Sequence, residues 1–369
     1  MGGICGWTGC NMTIIERRAL LEEMTKPIVQ HDSHSVQMLF GKRSALAVIG
    51  RPNSVHTCQD QGIIVGLWGQ IRFINTQFGQ DSDSQNIAKS FLENWRVNGE
   101  KVLTEIAGEF TVCVLDENKN QFILAVDRMG TRSLAYQASG GHLIFSSSLD
   151  AIIRHPYTES EIDAQNMFNY IHFHMIPSPG TIYKNLRRLL PGEYLTFQHN
   201  EIKTNKYWKP SFNELKGRSF EELKFELHTI LRSSVRDAIG NETVGAFLSG
   251  GTDSSTIAGI LSEVTGEPAS TYSIGFEANG YDEMEYARIA ARHFSTRHHE
   301  YYVTPDDVVT AIPEIAAIFD QPFGNASAIP AYFCAHMAKE DGLSRILGGD
   351  GGDELFGGNE RYAKQYLFS

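Results

Sequence analysis

The chain has 369 residues, 41% hydrophobic and 21% charged, with a formal net charge of -12. This composition is that of a globular protein with room for two ordinary domains, and it excludes a broad basic surface for nucleic acid. Five scattered cysteines with no CxxC pair, no basic-then-apolar leader and no membrane-length apolar run point to a reduced, cytoplasmic protein without a disulfide framework, a zinc site or a membrane partner.

After the opening Met1-Gly2-Gly3-Ile4-Cys5-Gly6-Trp7, short apolar runs predict strands at Ser44 to Ile49, Gly62 to Trp68, Phe110 to Leu115, Gln121 to Val126 and His142 to Ser146. Helical patterns lie near Ile14 to Met24 and Gln85 to Arg96. Strands in series with helices set apart predict an α+β domain of two layered sheets covered by helices, over residues 1–199. The polar stretch Asn200 to Arg218 reads as a connection, so 200–218 is the expected linker.

A second domain, 219–369, begins with a capping box at Ser219 and Glu222. Phe220, Leu223, Leu227, Leu231, Val235 and Ile239 then share one helical face. Strands and helices alternate after that. Strands are expected up to Leu248 and at Ser270 to Phe276, His298 to Val303 and Leu343 to Leu347. Helices are expected from Ser254, at Glu283 to Phe294, Asp306 to Phe319 and Ile329 to Lys339. Such alternation predicts an α/β fold with a parallel, Rossmann-like sheet, whose ligands bind beyond the carboxyl ends of the strands.

The stretch Ala246-Phe247-Leu248-Ser249-Gly250-Gly251-Thr252-Asp253-Ser254-Ser255 links the first of these strands to its helix. Gly250 and Gly251 let backbone approach a phosphate, and the helix-start N–H groups with the hydroxyls of Ser249, Thr252, Ser254 and Ser255 suit anionic oxygens. No lysine follows, so this is not the GxxxxGK[ST] loop. Asp253 would repel a phosphate unless a cation lay between them, which implies Mg²⁺.

SGGxDSS after an apolar strand resembles the pyrophosphate loop of the ATP pyrophosphatases, which include asparagine synthetases, β-lactam synthetases and lasso-peptide cyclases. Further segments resemble the class II glutamine amidotransferase domain of the asparagine synthetase family. They are Asp127-Arg128-Met129-Gly130-Thr131-Arg132-Ser133-Leu134-Ala135-Tyr136, Phe145-Ser146-Ser147-Ser148-Leu149-Asp150-Ala151-Ile152, and Pro191-Gly192-Glu193-Tyr194-Leu195 with Tyr207-Trp208. The resemblance implies an N-terminal-nucleophile-type first domain and an ATP-pyrophosphatase second domain. It also implies ATP and Mg²⁺, a carboxylate acceptor (aspartate by default), ammonia or another amine, and a homodimer formed through the first domain.

The departures are as informative. The family's N-terminal cysteine, whose α-amino group serves as base for its own thiol, is matched here by Gly2. Cys5 has its nitrogen in a peptide bond and reads as a small core residue. The family's Asn-Gly-Glu segment is matched by Trp68-Gly69-Gln70, its HRGPD-like segment poorly by Gln30-His31-Asp32-Ser33-His34, and its carboxylate-binding arginine by Ala45. Only Asp83 keeps the family type among the glutamine-binding positions. Loss of nucleophile, oxyanion donor and carboxylate clamp together predicts a first domain without glutaminase activity.

In the second domain, Tyr272-Ser273-Ile274-Gly275-Phe276 followed by Tyr281-Asp282-Glu283 resembles the family's SIGF…YDE, which places Ile274 and Phe247 at the adenine. Gly348-Gly349-Asp350-Gly351-Gly352-Asp353-Glu354-Leu355-Phe356-Gly357-Gly358 resembles SG(E/D)GxDExFGG. By that correspondence Gly348 and Gly349 approach the nucleotide, Asp353 joins Asp253 on Mg²⁺, and Asp350 has a catalytic part in acceptor or proton handling. Asp320-Gln321-Pro322-Phe323-Gly324-Asn325 resembles DEPFGD, a loop near the acceptor. Arg297-His298-His299-Glu300 reads as sheet structure, not a metal site, because strand neighbours face opposite sides. Relatives continue past the position of Ser369 with a helical segment that supplies a lysine, so the expectation is a C-terminally incomplete chain. Three readings stay open: an asparagine-synthetase-like amide ligase, a specialised amide or lactam former, and a non-catalytic nucleotide-binding paralogue.

Overall fold

The computed structural model describes residues 2–29, 34–74, 87–214, 216–276, 284–358, 362 and 364. It divides into two units: Met1–Phe212 with Phe319–Gly324, and Asn213–Ile318 with Asn325–Ser369.

The first unit runs β1 (Gly3–Thr8), α1 (Ile14–Thr25), β2 (Ser35–Phe40), β3 (Ser44–Gly50), β4 (Val55–Asp60), β5 (Ile63–Phe73), α2 (Ile87–Asn98), β6 (Ile106–Asp116), β7 (Gln121–Val126) and β8 (Ala135–Ser139). It continues with β9 (His142–Ser146), α3 (Leu149–Ile152), α4 (Ala164–Phe173), β10 (Arg187–Arg188), β11 (Glu193–Gln198) and β12 (Glu201–Lys206). Two six-stranded sheets form, in the orders β10-β8-β9-β1-β3-β2 and β12-β11-β7-β6-β5-β4.

Their inner faces share one apolar cluster in which Ile4, Leu46, Val48 and Phe145 meet Ile64, Cys113, Phe122 and Leu124. The outer face of the first sheet, with Ala45, Ala47 and Ile49, packs on Leu21 and Met24 of α1. The outer face of the second packs on Phe91, Leu92 and Trp95 of α2. Because side chains alternate faces along a strand, β3 is apolar at every position from Ala45 to Ile49: it has core on both sides. This is the α+β layering expected for residues 1–199.

The connection needs correction. Glu201–Lys206 of the polar stretch is a strand, paired antiparallel to β11. It is polar because it is an exposed edge strand, where charged side chains are the usual cover.

The second unit runs α5 (Phe220–Ile239), β13 (Val244–Phe247), α6 (Thr252–Thr265), β14 (Ser270–Phe276), α7 (Met284–Phe294), β15 (Arg297–Val303), α8 (Pro305–Ile318), α9 (Ala328–Glu340), β16 (Arg345–Leu347) and α10 (Gly352–Phe356). Its sheet is parallel, in the order β15-β14-β13-β16. One face packs on α5, α6 and α7 through Val235, Ala258, Leu261 and Ala287. The other packs on α9 through Cys334 and Ala338. Ser219 and Glu222 form the reciprocal capping box at the start of α5. Of the shared α5 face, however, only Val235 is buried, and Phe220 is 76% exposed.

Strand order reverses between β13 and β16: the chain winds outward through β14 and β15, then returns to the other side of β13. The loops after β13 and β16 therefore leave neighbouring strands at the reversal of strand order, the place where open α/β sheets hold their ligands.

Candidate functional site

The loop after β13 is pre-shaped by its own hydroxyls. The Ser249 N–H donates to Ser254 Oγ (3.2 Å), the two hydroxyls pair at 2.9 Å, and the Gly251 N–H donates to Ser249 Oγ at 3.3 Å. Gly250 has φ +84, and a methyl there would overlap the Tyr286 and Ala287 backbone of α7. A side chain is therefore excluded both by conformation and by space. At Gly251 an added methyl would meet only Ser249 Oγ, at 3.4 Å, so the backbone is open on that side.

Gly251 is the N-cap of α6 and supplies no side-chain cap. Helix-start N–H groups without a cap are donors for an anion, and the dipole adds to the attraction. Ser255 Oγ is buried there and has no hydrogen-bond partner among the described residues. The helix begins at Thr252, two residues before the expected Ser254, which places Thr252 and Asp253 in its first turn.

The loop after β16 closes on this turn. A methyl at Gly349 would lie 2.8 Å from the Asp253 carbonyl carbon and 2.8 Å from the Ser254 nitrogen. A methyl at Gly352 would overlap the Asp253 carboxylate, so that carboxylate lies against the residue preceding Asp353. At Gly348 the neighbours are Asp350 Oδ2 at 2.8 Å and Phe247 at 3.7 Å. The glycines of one loop thus make room for the acid of the other, and Asp350, Asp353, Gly348 and Gly349 come to the same strand end as Ser249 to Ser255.

The donor set suits Mg²⁺ held by one or two carboxylates plus substrate phosphates. A group of three or more His, Cys, Asp or Glu that could form an all-protein metal site does not occur among the described residues.

Phe247 and Ile274 lie near the ends of adjacent strands and pack with Tyr272, Cys334 and Ala338. They form a partly exposed apolar wall beside the loop. Within the His298-His299-Glu300 run, His298 Nε2 lies 3.5 Å from Glu300 Oε1 on one strand face, while His299 points to the other. His298 Nδ1 is 3.0 Å from Thr271 Oγ1, His299 stacks on Tyr272 at 4.8 Å, and Glu300 is gripped by Arg288 at 2.6 Å. Tyr281, Asp282, Glu283 and Asp83 lie outside the described residues, as do positions 30–33.

In the first unit, the Asp127 segment is a turn built around one buried carboxylate. Asp127 accepts from the N–H groups of Met129, Thr131 and Arg132 and from Thr131 Oγ1, at 2.7–3.1 Å. The turn sets Arg132 over the Trp68 ring at 4.7 Å and against Glu109 at 3.1 Å. Gly2 faces this tryptophan: a methyl there would overlap Ile49 O and lie 2.9 Å from Trp68 Nε1. Cys5 is fully buried in the α1-side core, where burial pushes its thiol far above the usual range. It is a core residue, in surroundings that disfavour the thiolate that nucleophilic attack needs.

One pairing was not found from sequence, although Asp320 was named there in the DEPFGD-like segment. Arg188 and Asp320 pair at 2.6 Å although 132 residues apart, a contact with no local signal.

A family description, Asparagine synthase, matches residues 226–369, and another, Glutamine amidotransferase domain, matches 67–208. A protein of Methanocaldococcus jannaschii that carries the name putative asparagine synthetase (glutamine-hydrolyzing) 2 is 33% identical over 79% of this chain and 58% of its own length. Asparagine synthetases (glutamine-hydrolyzing) 3 and 1 of Bacillus subtilis are 27% and 28% identical, over 97% and 77% of this chain and 63% and 44% of theirs. The chain thus spans about half the length of the curated relatives it matches.

Proposed function

Since the chain belongs to the asparagine synthase family, with a glutamine amidotransferase domain ahead of its synthase domain, we propose that it is an ATP-dependent amide ligase whose amine does not come from glutamine. The observation that supports ligation best is the pair of glycine loops at the β13–β16 reversal, where Gly349 and Gly352 make room for Asp253.

In this reading the purine lies against Phe247 and Ile274, an apolar wall suited to a base. The phosphates lie on the uncapped start of α6, with Ser249, Gly250, Gly251, Thr252, Ser254 and Ser255 around them and Gly348 and Gly349 opposite. Asp253 and Asp353 would hold Mg²⁺, which supplies charge neutralisation as pyrophosphate leaves. A carboxylate oxygen of the acceptor attacks the α-phosphorus, and the bond to the pyrophosphate breaks. An amine then attacks the acyl carbon and AMP departs with the electron pair. Asp350, at the mouth of the same loops, is the residue assigned to acceptor or proton handling.

Aspartate is the default acceptor and ammonia the default amine. The closed space over Gly2 favours a second reading, a specialised amide or lactam former that uses its own substrate's amine. A cytoplasmic location is part of the same proposal; all five cysteines are free. No helix among the described residues is long and apolar enough to cross a membrane.

The test is pyrophosphate release from Mg-ATP with aspartate and either ammonia or glutamine. Release is expected with ammonia, and none above background with glutamine. Equal release with both would refute the glutamine-independent part. No release with any amine would remove aspartate as the acceptor and leave either a different acceptor, as in the second reading, or a nucleotide-binding paralogue.

A further inference from the structure

Within the second unit, β13 and β16 pair in parallel with Ala246 opposite Leu347, so Phe247 and Gly348 come next at the same strand ends. Ile346 packs with the cluster of Tyr272, Cys334 and Ala338 that also holds Phe247 and Ile274. Side chains alternate along a strand, so a side chain two residues on, at 348, would turn to the same side of the sheet. A methyl added to Gly348 would indeed lie 3.7 Å from Phe247 Cδ2. Its other two nearest neighbours both belong to Asp350: Oδ2 at 2.8 Å and Cγ at 3.6 Å.

The carboxylate of Asp350 thus folds back to the place that a side chain at 348 would take. Backbone conformation does not demand the glycine, because Gly348 is not among the residues of positive φ. In the pattern SG(E/D)G that this loop resembles, the position holds serine, so the opening is a feature of this chain. Gly348 and Asp350 are both exposed, which leaves the carboxylate open to a ligand. An apolar wall with one polar group at its margin is how small-molecule sites fix orientation. An ionised carboxylate only accepts hydrogen bonds. It favours a flat base that turns an amino group toward it over one that turns a lone pair.

We infer that Asp350 is a base-specificity residue: the glycine at 348 lets its carboxylate reach the Phe247–Ile274 wall, where it accepts a hydrogen bond from the exocyclic amino group of the nucleotide's base, the 6-amino group of ATP. The inference rests on the proposed nucleotide site and deepens it. It gives Asp350 a task in binding, separate from the acceptor or proton handling that the resemblance assigns, and that task is measured with no acceptor present. A site built to bond an amino group rejects the analogue that lacks it, because its acceptor is then left unpaired.

The test is calorimetric titration of the full chain, without acceptor or amine, with Mg-ATP and with the Mg²⁺ complex of purine riboside triphosphate, which lacks only the 6-amino group. The parent, Asp350→Ala and Gly348→Ala are compared through the ratio of the two Kd values. The parent should bind ATP about tenfold more tightly than the analogue, the scale of one hydrogen bond to a charged group. In Asp350→Ala the two nucleotides should bind within about twofold of each other. Gly348→Ala fills the opening and displaces the carboxylate, so it should abolish the preference with Asp350 intact. Equal binding of both nucleotides by the parent would overturn the inference and leave the nucleotide site standing. A ratio that keeps its parental value in Asp350→Ala, even with both affinities lowered, would assign Asp350 to the phosphates or the metal and overturn it as well. Should Asp350→Ala not fold, Gly348→Ala decides alone, by lowering the ratio or leaving it as it was. Binding of neither nucleotide by the parent would overturn both the inference and the nucleotide site.

Discussion

Trp68 stands over Gly2: a methyl group added to that glycine would lie 2.9 Å from the indole Nε1 and overlap the Ile49 carbonyl oxygen. The position that the family resemblance matches to the N-terminal cysteine is thus closed by the backbone on one side and by an aromatic ring on the other. Arg132 seals the ring from above at 4.7 Å, and its partner Glu109 keeps it there.

Restoring the thiol should therefore not restore hydrolysis. Gly2→Cys is expected to release no glutamate from glutamine above background, and to lower the stability of the first unit by about 1–3 kcal/mol through overpacking. A glutaminase assay with a urea titration checks both. Glutamate release from the single variant would show that the Trp68 side has room the structure does not give it.

The two glycine loops should be equally intolerant. Gly349→Ala would press on the Asp253–Ser254 backbone, and Gly352→Ala on the Asp253 carboxylate. Each is expected to weaken Mg-ATP binding at least tenfold while leaving the melting of the first unit unchanged. Gly251→Ala, where a methyl finds only Ser249 Oγ at 3.4 Å, is the control for steric clash in the free protein. Calorimetric titration of the three variants separates these outcomes.

Acid should destabilise the first unit by way of His155. Its side chain is buried beside Cys10 and Trp7, and burial, followed by the His142 charge, lowers its pKa from 6.5 to about 4. Between those values the unfolded chain binds a proton that the folded chain refuses. Stability is thus full above pH 6.5 and falls as pH drops toward 4, by up to about 3 kcal/mol. Urea unfolding at pH 7 and at about pH 4.5 measures the loss. A His155→Phe variant should lose most of that pH slope, and an unchanged slope would show that other groups set it.

Thiol labelling should be ordered by burial. Cys5, Cys10, Cys113 and Cys334 are buried and Cys58 is partly exposed. Burial raises all of their pKa values, with Cys10 pushed up to about 11 and Cys334 to about 12. In the native protein one thiol, Cys58, should react with a disulfide reagent in minutes, and the other four only on unfolding. Rapid modification of Cys5 would reopen the question of a displaced nucleophile.

Where the sequence was legible, the reason was local. Gln121–Val126 and His142–Ser146 have the bounds their apolar runs predict, because buried strands are short and end at turns. Ser219 and Glu222 form the capping box because both partners lie within one turn. The start of α6 moved to Thr252 because an uncapped glycine can serve as N-cap, which a search for polar caps passes over. The periodicity of α5 identified one face, but what covers a face is not a local property, and Phe220, Leu223 and Leu227 are exposed. Glu201–Lys206 reads as linker because an edge strand can be polar on nearly every residue. In the site, the two glycine loops were legible one at a time, and their contact through Gly349, Gly352 and Asp253 required the parallel register of β13 and β16. The Arg188–Asp320 pair was not legible at all, since neither residue carries a mark that points to the other.

The most decisive measurement is calorimetric titration of the chain with ATP, with Mg²⁺ and with excess chelator, for the parent and for Asp253→Asn. Saturable binding that depends on Mg²⁺ is expected in the parent, weakened at least tenfold in the variant. Binding that is indifferent to both Mg²⁺ and Asp253, or absent from the parent, would contradict a Mg-ATP site at the β13–β16 loops.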